Sequence, residues 1–164
     1  MAGQTNIMMK LAGVDGESVQ QGYEGWMYLS SCSIGGHQSA TMHTGHGGGG
    51  GKVAMGDLMC TKLVDKCTPD LIKKLCAGQH YATVDVHFLK STGDTPLPYY
   101  KIALKDAIVS SHNVGAAGEE SQINESFSLN FRTIKVTYEL QNEDGTKGGT
   151  TETEFDIAIN KITI

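Results

Sequence analysis

Hydrophobic and polar residues alternate along most of this chain, which is the pattern of β-strands that bury one face. The longest alternating run covers residues 122–141, and its phase slips near Arg132–Thr133, where a bulge would bend the strand. A long bent strand of this kind can serve two packed sheets. Further alternation predicts strands over 6–11, 25–35, 52–64 and 81–90, and one bent strand or two short ones over 99–111.

A hairpin is predicted directly after the longest run. Residues 142–149 contain Asp144-Gly145, a pair that is typical of tight hairpin turns. The return strand is predicted over 151–159. Its alternating apolar residues are expected to face inward: Phe155, Ile157 and Ile159.

Residues 67–80 have helical rather than strand periodicity. Thr68 is a suitable N-cap, Pro69 suits the first helical position, and Gly78 is placed to end the helix. Four apolar residues recur at helical spacing and predict a single buried stripe: Leu71, Ile72, Leu75 and Cys76. The pattern therefore predicts one short helix docked on a β domain.

Size and charge narrow the class of protein. The 164 residues fit one domain over 1–164, and the formal net charge of −5 argues against nucleic acid or an anionic membrane as the main partner. No apolar run reaches the ~20 residues of a membrane helix, so we expect no membrane insertion. The first residues lack a secretory-signal pattern, so we expect no cleaved signal peptide. The cysteines form no C-x-x-C pair and are expected to be packing residues: Cys32, Cys60, Cys67 and Cys76.

The segment TGHGGGGGKVA, residues 44–54, has the composition of a phosphate-binding loop. A Walker loop needs glycine at position 46 and Ser or Thr at position 53, but the chain has His46 and Val53 there. His43 and His46 have a spacing that suits a metal, yet no carboxylate or cysteine lies within the loop. A G-x-S-x-G elbow is also missing. We therefore expect no cofactor, no metal and no catalytic residues.

Five segments form an ordered set that is more specific than any one of them: VDGES (14–18), HTGHGGGGGKVAMGDL (43–58), TKLVDKCTPDLIKKLCAGQHY (61–81), IVSSHNVGAAGEES (108–121) and ESFSLNFRTIKVTYELQNEDGTKGG (125–149). Together they closely resemble the hemolysin-coregulated protein (Hcp) family of bacterial type VI secretion systems. The resemblance implies a two-sheet β-barrel with one flanking α-helix and a long Gly-rich loop. It also implies homohexameric rings that stack into a hollow tube and carry small effectors.

The resemblance also implies partners, a location and candidate contact residues. The partners would be further copies of the chain, the spike protein, sheath components and small effectors in the channel, and the protein would leave the bacterial cytoplasm by secretion. In the family, the loop that maps to about residues 36–51 reaches the neighbouring subunit, which suggests these inter-subunit contacts: His43, His46, Gly47, Gly48, Gly49, Gly50, Gly51 and Lys52. The cargo-contacting serine of the family corresponds best to Ser33, with Ser31 as its neighbour.

Two other functional classes remain open on the residues alone. One is a β-sandwich module that binds a small ligand or carbohydrate as a monomer or dimer. The other is a metal-dependent hydrolase that would use His43 and His46. A structural subunit without catalysis of its own is the leading interpretation, because no segment combines a nucleophile, a base and an orienting group.

Overall fold

The computed structural model describes residues 6–43, 45, 49–90 and 96–163. Within these residues the chain is mainly β with one helix, which confirms the predicted class. The elements follow in this order: β1 Asn6–Leu11, β2 Met27–Leu29, β3 Ser31–Ser33, β4 Gly36–Ala40, β5 Gly50–Met55, β6 Leu58–Leu63, α1 Thr68–Ala77, β7 His80–Lys90, β8 Leu97–Gly115, β9 Asn124–Gln141, β10 Lys147–Asp156 and β11 Lys161–Thr163.

Nine strands form one antiparallel sheet, and the other two form a separate pair. The main path runs β11-β10-β9-β8-β7-β1-β2, while β6 joins β9 and β3 joins β6. Strands β4 and β5 pair with each other. The long β9 therefore has β8 along one edge, and along the other edge it has β6 first and β10 afterwards. This exchange of partners is what a long bent strand was expected to permit.

The buried positions of β9 change phase between Thr133 and Ile134, close to the predicted slip, but the register shift of the β8–β9 pair lies on β8. The register between β8 and β9 shifts between Val109 and Ser111. The extra residue is Ser110, whose hydroxyl donates a hydrogen bond of 2.6 Å to Asp57 Oδ2. A second bend arises at Asp106, whose φ is 51°. The predicted run over 99–111 is thus one bent strand.

Two predicted strands are each divided in two. The run over 25–35 becomes β2 and β3, and the run over 52–64 becomes β5 and β6. The second division lies at Gly56, whose N–H donates a 2.8 Å hydrogen bond to the carbonyl of Gly35. A Cβ at position 56 would lie 3.1 Å from that carbonyl oxygen, so the two segments can approach this closely because glycine is present.

The hairpin after β9 forms as predicted, but its return strand ends early. Gly145 has a φ of 82° in the turn, and Phe155 and Ile157 are partly buried. Ile159, which was expected to face inward, is 61% exposed. The reason is local: Asp156 Oδ1 accepts the backbone N–H groups of Ala158 and Ile159 at 2.9 and 3.2 Å, so the chain turns after β10.

The helix has the predicted end but a different start. Gly78 ends it with a φ of 61°, whereas Cys67, not Thr68, occupies the N-cap position. Among the described residues no side chain caps the first turn of the helix; Asp65 Oδ1 accepts the Cys67 N–H at 2.8 Å and forms the turn that leads into it. Leu71 is buried and Leu75 partly buried, but two members of the predicted stripe face solvent: Ile72 and Cys76.

The main core lies between the helix and the concave side of the strands. It is built from alternating residues of β1, β2, β6 to β9 and from Leu71 of α1. Cys60 and Cys67 are buried in it and Cys32 packs against it, so the predicted packing role holds for these three, while Cys76 is exposed. In the part of the chain that the structure describes, no helix has the length and apolar content to cross a bilayer.

Candidate functional site: a hydroxyl-rich face and a glycine-rich ribbon

The predicted contact serines lie on the outer face of the β3–β6 pair. Ser31 is opposite Thr61 and Ser33 is opposite Met59, and the Ser31 and Thr61 hydroxyls are hydrogen-bonded at 2.5 Å. Both serines are exposed, whereas Cys32 between them points toward the core. Small polar and apolar side chains thus alternate between the two faces of this strand.

The outer face continues across β9 and β8 as two rows of opposed residues. Thr61 is opposite Ser126, and Met59 is opposite Ser128. On β8, Asn113 is opposite Ser126 and Ser111 is opposite Ser128. We call this surface the hydroxyl face and define it by eight residues: Ser31, Ser33, Met59, Thr61, Ser111, Asn113, Ser126 and Ser128. A shallow depression of about 180 Å³ lies on it.

The hydroxyl face offers many weak hydrogen-bonding groups and no charged side chain. Ser128 bonds with both Ser110 and Ser111, at 2.8 and 2.5 Å. Each hydroxyl can donate or accept, so the face can adapt to different polar partners, and a typical hydrogen bond contributes only about 1 kcal/mol. This chemistry suits several weak and reversible polar contacts better than tight binding of one ligand.

Sequence reasoning found Ser31 and Ser33 but missed their neighbours on the face. Thr61, Ser111, Asn113 and Ser126 come from strands far along the chain. A signal was available in SFSL, where Ser126 and Ser128 lie on the strand face opposite Phe127 and Leu129. Ser128 is 7% exposed because Ser110 and Ser111 cover it. The pattern identifies hydroxyls on one face of the strand but cannot say which other strand they meet.

A buried ionic cluster lies on the inner side of the same strands. Lys62 Nζ is 2.7 Å from Asp65 Oδ1 and 2.7 Å from Glu125 Oε2. Glu125 also accepts hydrogen bonds from Thr68 Oγ1 at 2.7 Å and His112 Nε2 at 2.6 Å. The side chains of Lys62 and Glu125 are both 0% exposed. Five residues from β6, β8, β9, α1 and the preceding turn thus converge on one carboxylate and one ammonium group.

The cluster ties the helix to the strands behind the hydroxyl face. Thr68 is the first helical residue, and its hydroxyl accepts the Asp65 N–H at 3.2 Å and donates to Glu125. Burial would raise the pKa of Glu125, but hydrogen bonds from Lys62, Thr68 and His112 outweigh it and leave that pKa below its ordinary value. Glu125 is therefore an ionised acceptor, and its partners fix β6, β8 and β9 relative to the helix.

The predicted glycine-rich loop is partly a β-ribbon. We define the ribbon as β4, β5 and the residues that connect them. Its strands pair in antiparallel register, with His37 opposite Ala54 and Gln38 opposite Val53. The expectation that residues 36–51 form a loop is thus wrong at both ends, because Gly36–Ala40 and Gly50–Met55 are strands. Glycine permits this: a Cβ at Gly51 would lie 2.3 Å from Ser39 Oγ.

The structure describes most of the predicted inter-subunit residues. His43, Gly49, Gly50, Gly51 and Lys52 are exposed on the ribbon or its connection. The remaining three lie outside the described residues: His46, Gly47 and Gly48. Throughout the described ranges, no group of three His, Cys, Asp or Glu side chains is placed to hold a metal ion.

An apolar groove of about 360 Å³ separates the ribbon from the main sheet. Val53 and Met55 line its ribbon side, and the opposite wall comes from β9 to β11, including Ile134, Phe155 and Ile162. Ile162 is 65% exposed. Exposed apolar surface that forms a groove is typical of protein–protein interaction sites.

Comparison with known proteins gives consistent matches. Residues 8–138 match the family described as type VI secretion system effector, Hcp. The chain is 38% identical over 98 residues to Protein hcp1 of Pseudomonas aeruginosa, covering 60% of this chain and only 60% of that relative's length. A crystal structure of Hcp1 from Salmonella typhimurium has a TM-score of 0.81 and 29% identity, covering 99% of this chain and 100% of the other. A structure described as a type six secretion system protein has a TM-score of 0.91 at 24% identity, covering 98% and 100%, which is a likeness of fold.

Proposed function

This chain belongs to the Hcp family of secreted type VI secretion proteins, and we propose that it is a structural tube subunit. In this proposal six copies close into a ring, rings stack into a hollow tube, and small effectors travel in the channel. The tube assembles in the bacterial cytoplasm against the spike and sheath components before secretion. The subunit has no catalytic activity of its own.

We propose that the whole chain, 1–164, is one Hcp-like domain whose main sheet closes as a barrel. Strand pairing supports this. Only Ser30 separates β2 from β3, yet β2 pairs with β1 while β3 pairs with β6. Since β6 pairs with β9, the path through β8 and β7 leads back to β1. A sheet connected in this way has few free edges, which protects a subunit that must remain soluble.

The observation that carries the proposal is the ribbon beside its apolar groove. The ribbon residues are exposed or half-buried, and within the described chain β4 and β5 pair only with each other. A glycine-rich segment loses much conformational entropy when it becomes ordered, so contact with a second copy has to offset that loss. A ribbon that docks on a different surface of its neighbour is a heterologous contact, which closes into a ring when the rotation permits.

Native mass spectrometry of two ribbon variants tests the ring. Deletion of residues 47–51 should reduce or abolish the hexamer, because the connection between β4 and β5 can no longer reach its neighbour. The matched control keeps the length, replaces only Gly47, Gly48 and Gly49 with serine, and should retain the hexamer; Gly50 and Gly51 stay because a Cβ there would lie within 3 Å of β4. An unchanged hexamer after the deletion contradicts the contact, and wild-type protein that is monomeric in dilute solution contradicts the tube.

We propose further that the hydroxyl face lines the channel and contacts cargo through Ser33 and Ser31. Small uncharged side chains leave room for a passing polypeptide and hold it weakly. Ser33→Arg should abolish co-purification of a small effector from the same secretion system, whereas Ser33→Thr, which keeps the hydroxyl, should retain it. Both variants should keep the mass of the wild-type ring. Normal effector retention by Ser33→Arg would exclude this assignment.

A further inference from the structure

Two cysteines lie directly opposite each other under the hydroxyl face. Cys32 on β3 is the register partner of Cys60 on β6, and their Sγ atoms are 3.9 Å apart. Directly opposed residues of antiparallel strands have Cα atoms about 4.5–5.5 Å apart, which lies within the range that disulfides span. Rotation of the two side chains is therefore enough to bring the sulfur atoms together, without movement of the strands.

The surroundings give the two thiols different roles. Cys60 is 1% exposed, while Cys32 is partly exposed at the edge of the core. A hydrogen bond from the Cys60 thiol lowers the pKa of Cys32, against the opposing effect of burial. The same hydrogen bond and burial raise the pKa of Cys60. Cys32 is thus the more accessible and more readily ionised sulfur, and Cys60 is held beside it.

We propose that Cys32 and Cys60 form a cross-strand disulfide within one subunit when the protein meets a low-molecular-weight disulfide such as oxidised glutathione. The Cys32 thiolate attacks one sulfur of the oxidant, forms a mixed disulfide and releases one thiol. Cys60 then loses its proton and attacks Cys32 Sγ, which releases the second thiol. Two electrons and two protons pass from the cysteines to the oxidant, and one bond joins β3 to β6.

The position of this bond gives it a structural consequence. The ribbon and its connections lie between the two cysteines in the chain, so the disulfide closes a loop at the root of the ribbon. It also fixes β3, a strand of three residues whose pairing in the described chain is with β6 alone. The oxidation itself needs no other site in the protein. Its timing rests on the proposed function, because the reducing cytoplasm keeps both thiols reduced until the protein is secreted.

The test is oxidation of the purified native assembly with oxidised glutathione, followed by peptide mapping without reduction. Cys76→Ser protein is used so that the exposed thiol cannot link different subunits. We expect a linked Cys32–Cys60 peptide, the loss of two hydrogen atoms from the subunit mass, and a rise in Tm of about 5–15 °C that dithiothreitol reverses. In the Cys32→Ser, Cys76→Ser double variant the rise should be absent.

Three results would overturn the inference. They are full alkylation of both thiols after oxidation, a lasting glutathione adduct on Cys32, and a disulfide that uses Cys67 instead. The peptide map is made on protein with intact Cys32 and Cys60. It therefore shows whether the disulfide forms even if the Cys32→Ser variant folds poorly. The oligomeric mass of the same samples separates this inference from the proposed function: a ring without the disulfide refutes only the inference, and a monomer with it refutes only the tube.

Discussion

Replacement of Lys62 by methionine should strongly destabilise the protein, because it leaves Glu125 buried without its cation. Both side chains are 0% exposed and their charged atoms are 2.7 Å apart. Removing one partner of a buried ion pair costs about 3–5 kcal/mol. In a chain of this size each kcal/mol lowers the Tm by about 2–4 °C, so Lys62→Met should lower it by about 6–20 °C.

The matched control is Lys105→Met, which removes a surface pair of the same type. Lys105 lies 3.3 Å from Glu154, but the two side chains are 60% and 33% exposed. Loss of this exposed ion pair should lower the free energy of unfolding by less than about 1 kcal/mol. A second comparison is the Lys62→Met, Glu125→Gln double variant. Its loss of unfolding free energy should be smaller than the sum of the two single losses, because the fully buried carboxylate leaves with its cation and only Asp65, whose side chain is 13% exposed, loses a charged partner.

The assay is urea unfolding followed by circular dichroism, at one protein concentration and at pH 7 and pH 3. The pKa of Glu125 is lowered from its ordinary value of 4.5, so its ionisation stabilises the fold above that pH and the contribution is lost as the pH falls through the lowered pKa. The difference between wild type and Lys62→Met should therefore shrink in acid. If Lys62→Met costs no more than Lys105→Met at pH 7, the reasoning about the cluster is refuted.

Two smaller perturbations test local features by the same unfolding assay. Gly78→Ala should lower the free energy of unfolding by about 1 kcal/mol, because position 78 has a φ of 61°. The control is Gly118→Ala, which should be nearly neutral, because Gly118 has no positive φ and nothing lies within 4 Å of the added Cβ. Equal costs would contradict the first expectation. Burial and the nearby Lys101 lower the pKa of His87 to about 4, and its Nδ1 accepts the Tyr23 hydroxyl at 2.9 Å. Between about pH 6.5 and pH 4 the histidine is protonated in the unfolded chain but not in the folded one. The free energy of unfolding should therefore decrease as the pH is lowered through this range. His87→Gln should flatten that slope, and parallel pH profiles would argue against it.

Local patterns in the sequence determined the elements whose causes are local. Alternation located β9, Asp144-Gly145 located the hairpin turn, and Gly78 located the end of the helix. Each of these depends on residues that are neighbours in the chain, through side-chain direction, turn geometry or a left-handed φ. The outward position of Ser31 and Ser33 was predictable for the same reason.

Only the tertiary structure decided which distant residues meet. Thr68 had the local chemistry of an N-cap, but the N-cap position lies one residue earlier at Cys67, and the Thr68 hydroxyl donates to Glu125, 57 positions later. The opposition of Cys32 to Cys60 likewise depends on β3 pairing with β6 across the whole ribbon. Strand order and register are set by how apolar faces fill a common core, and that sum over distant contacts cannot be read from a short stretch of chain.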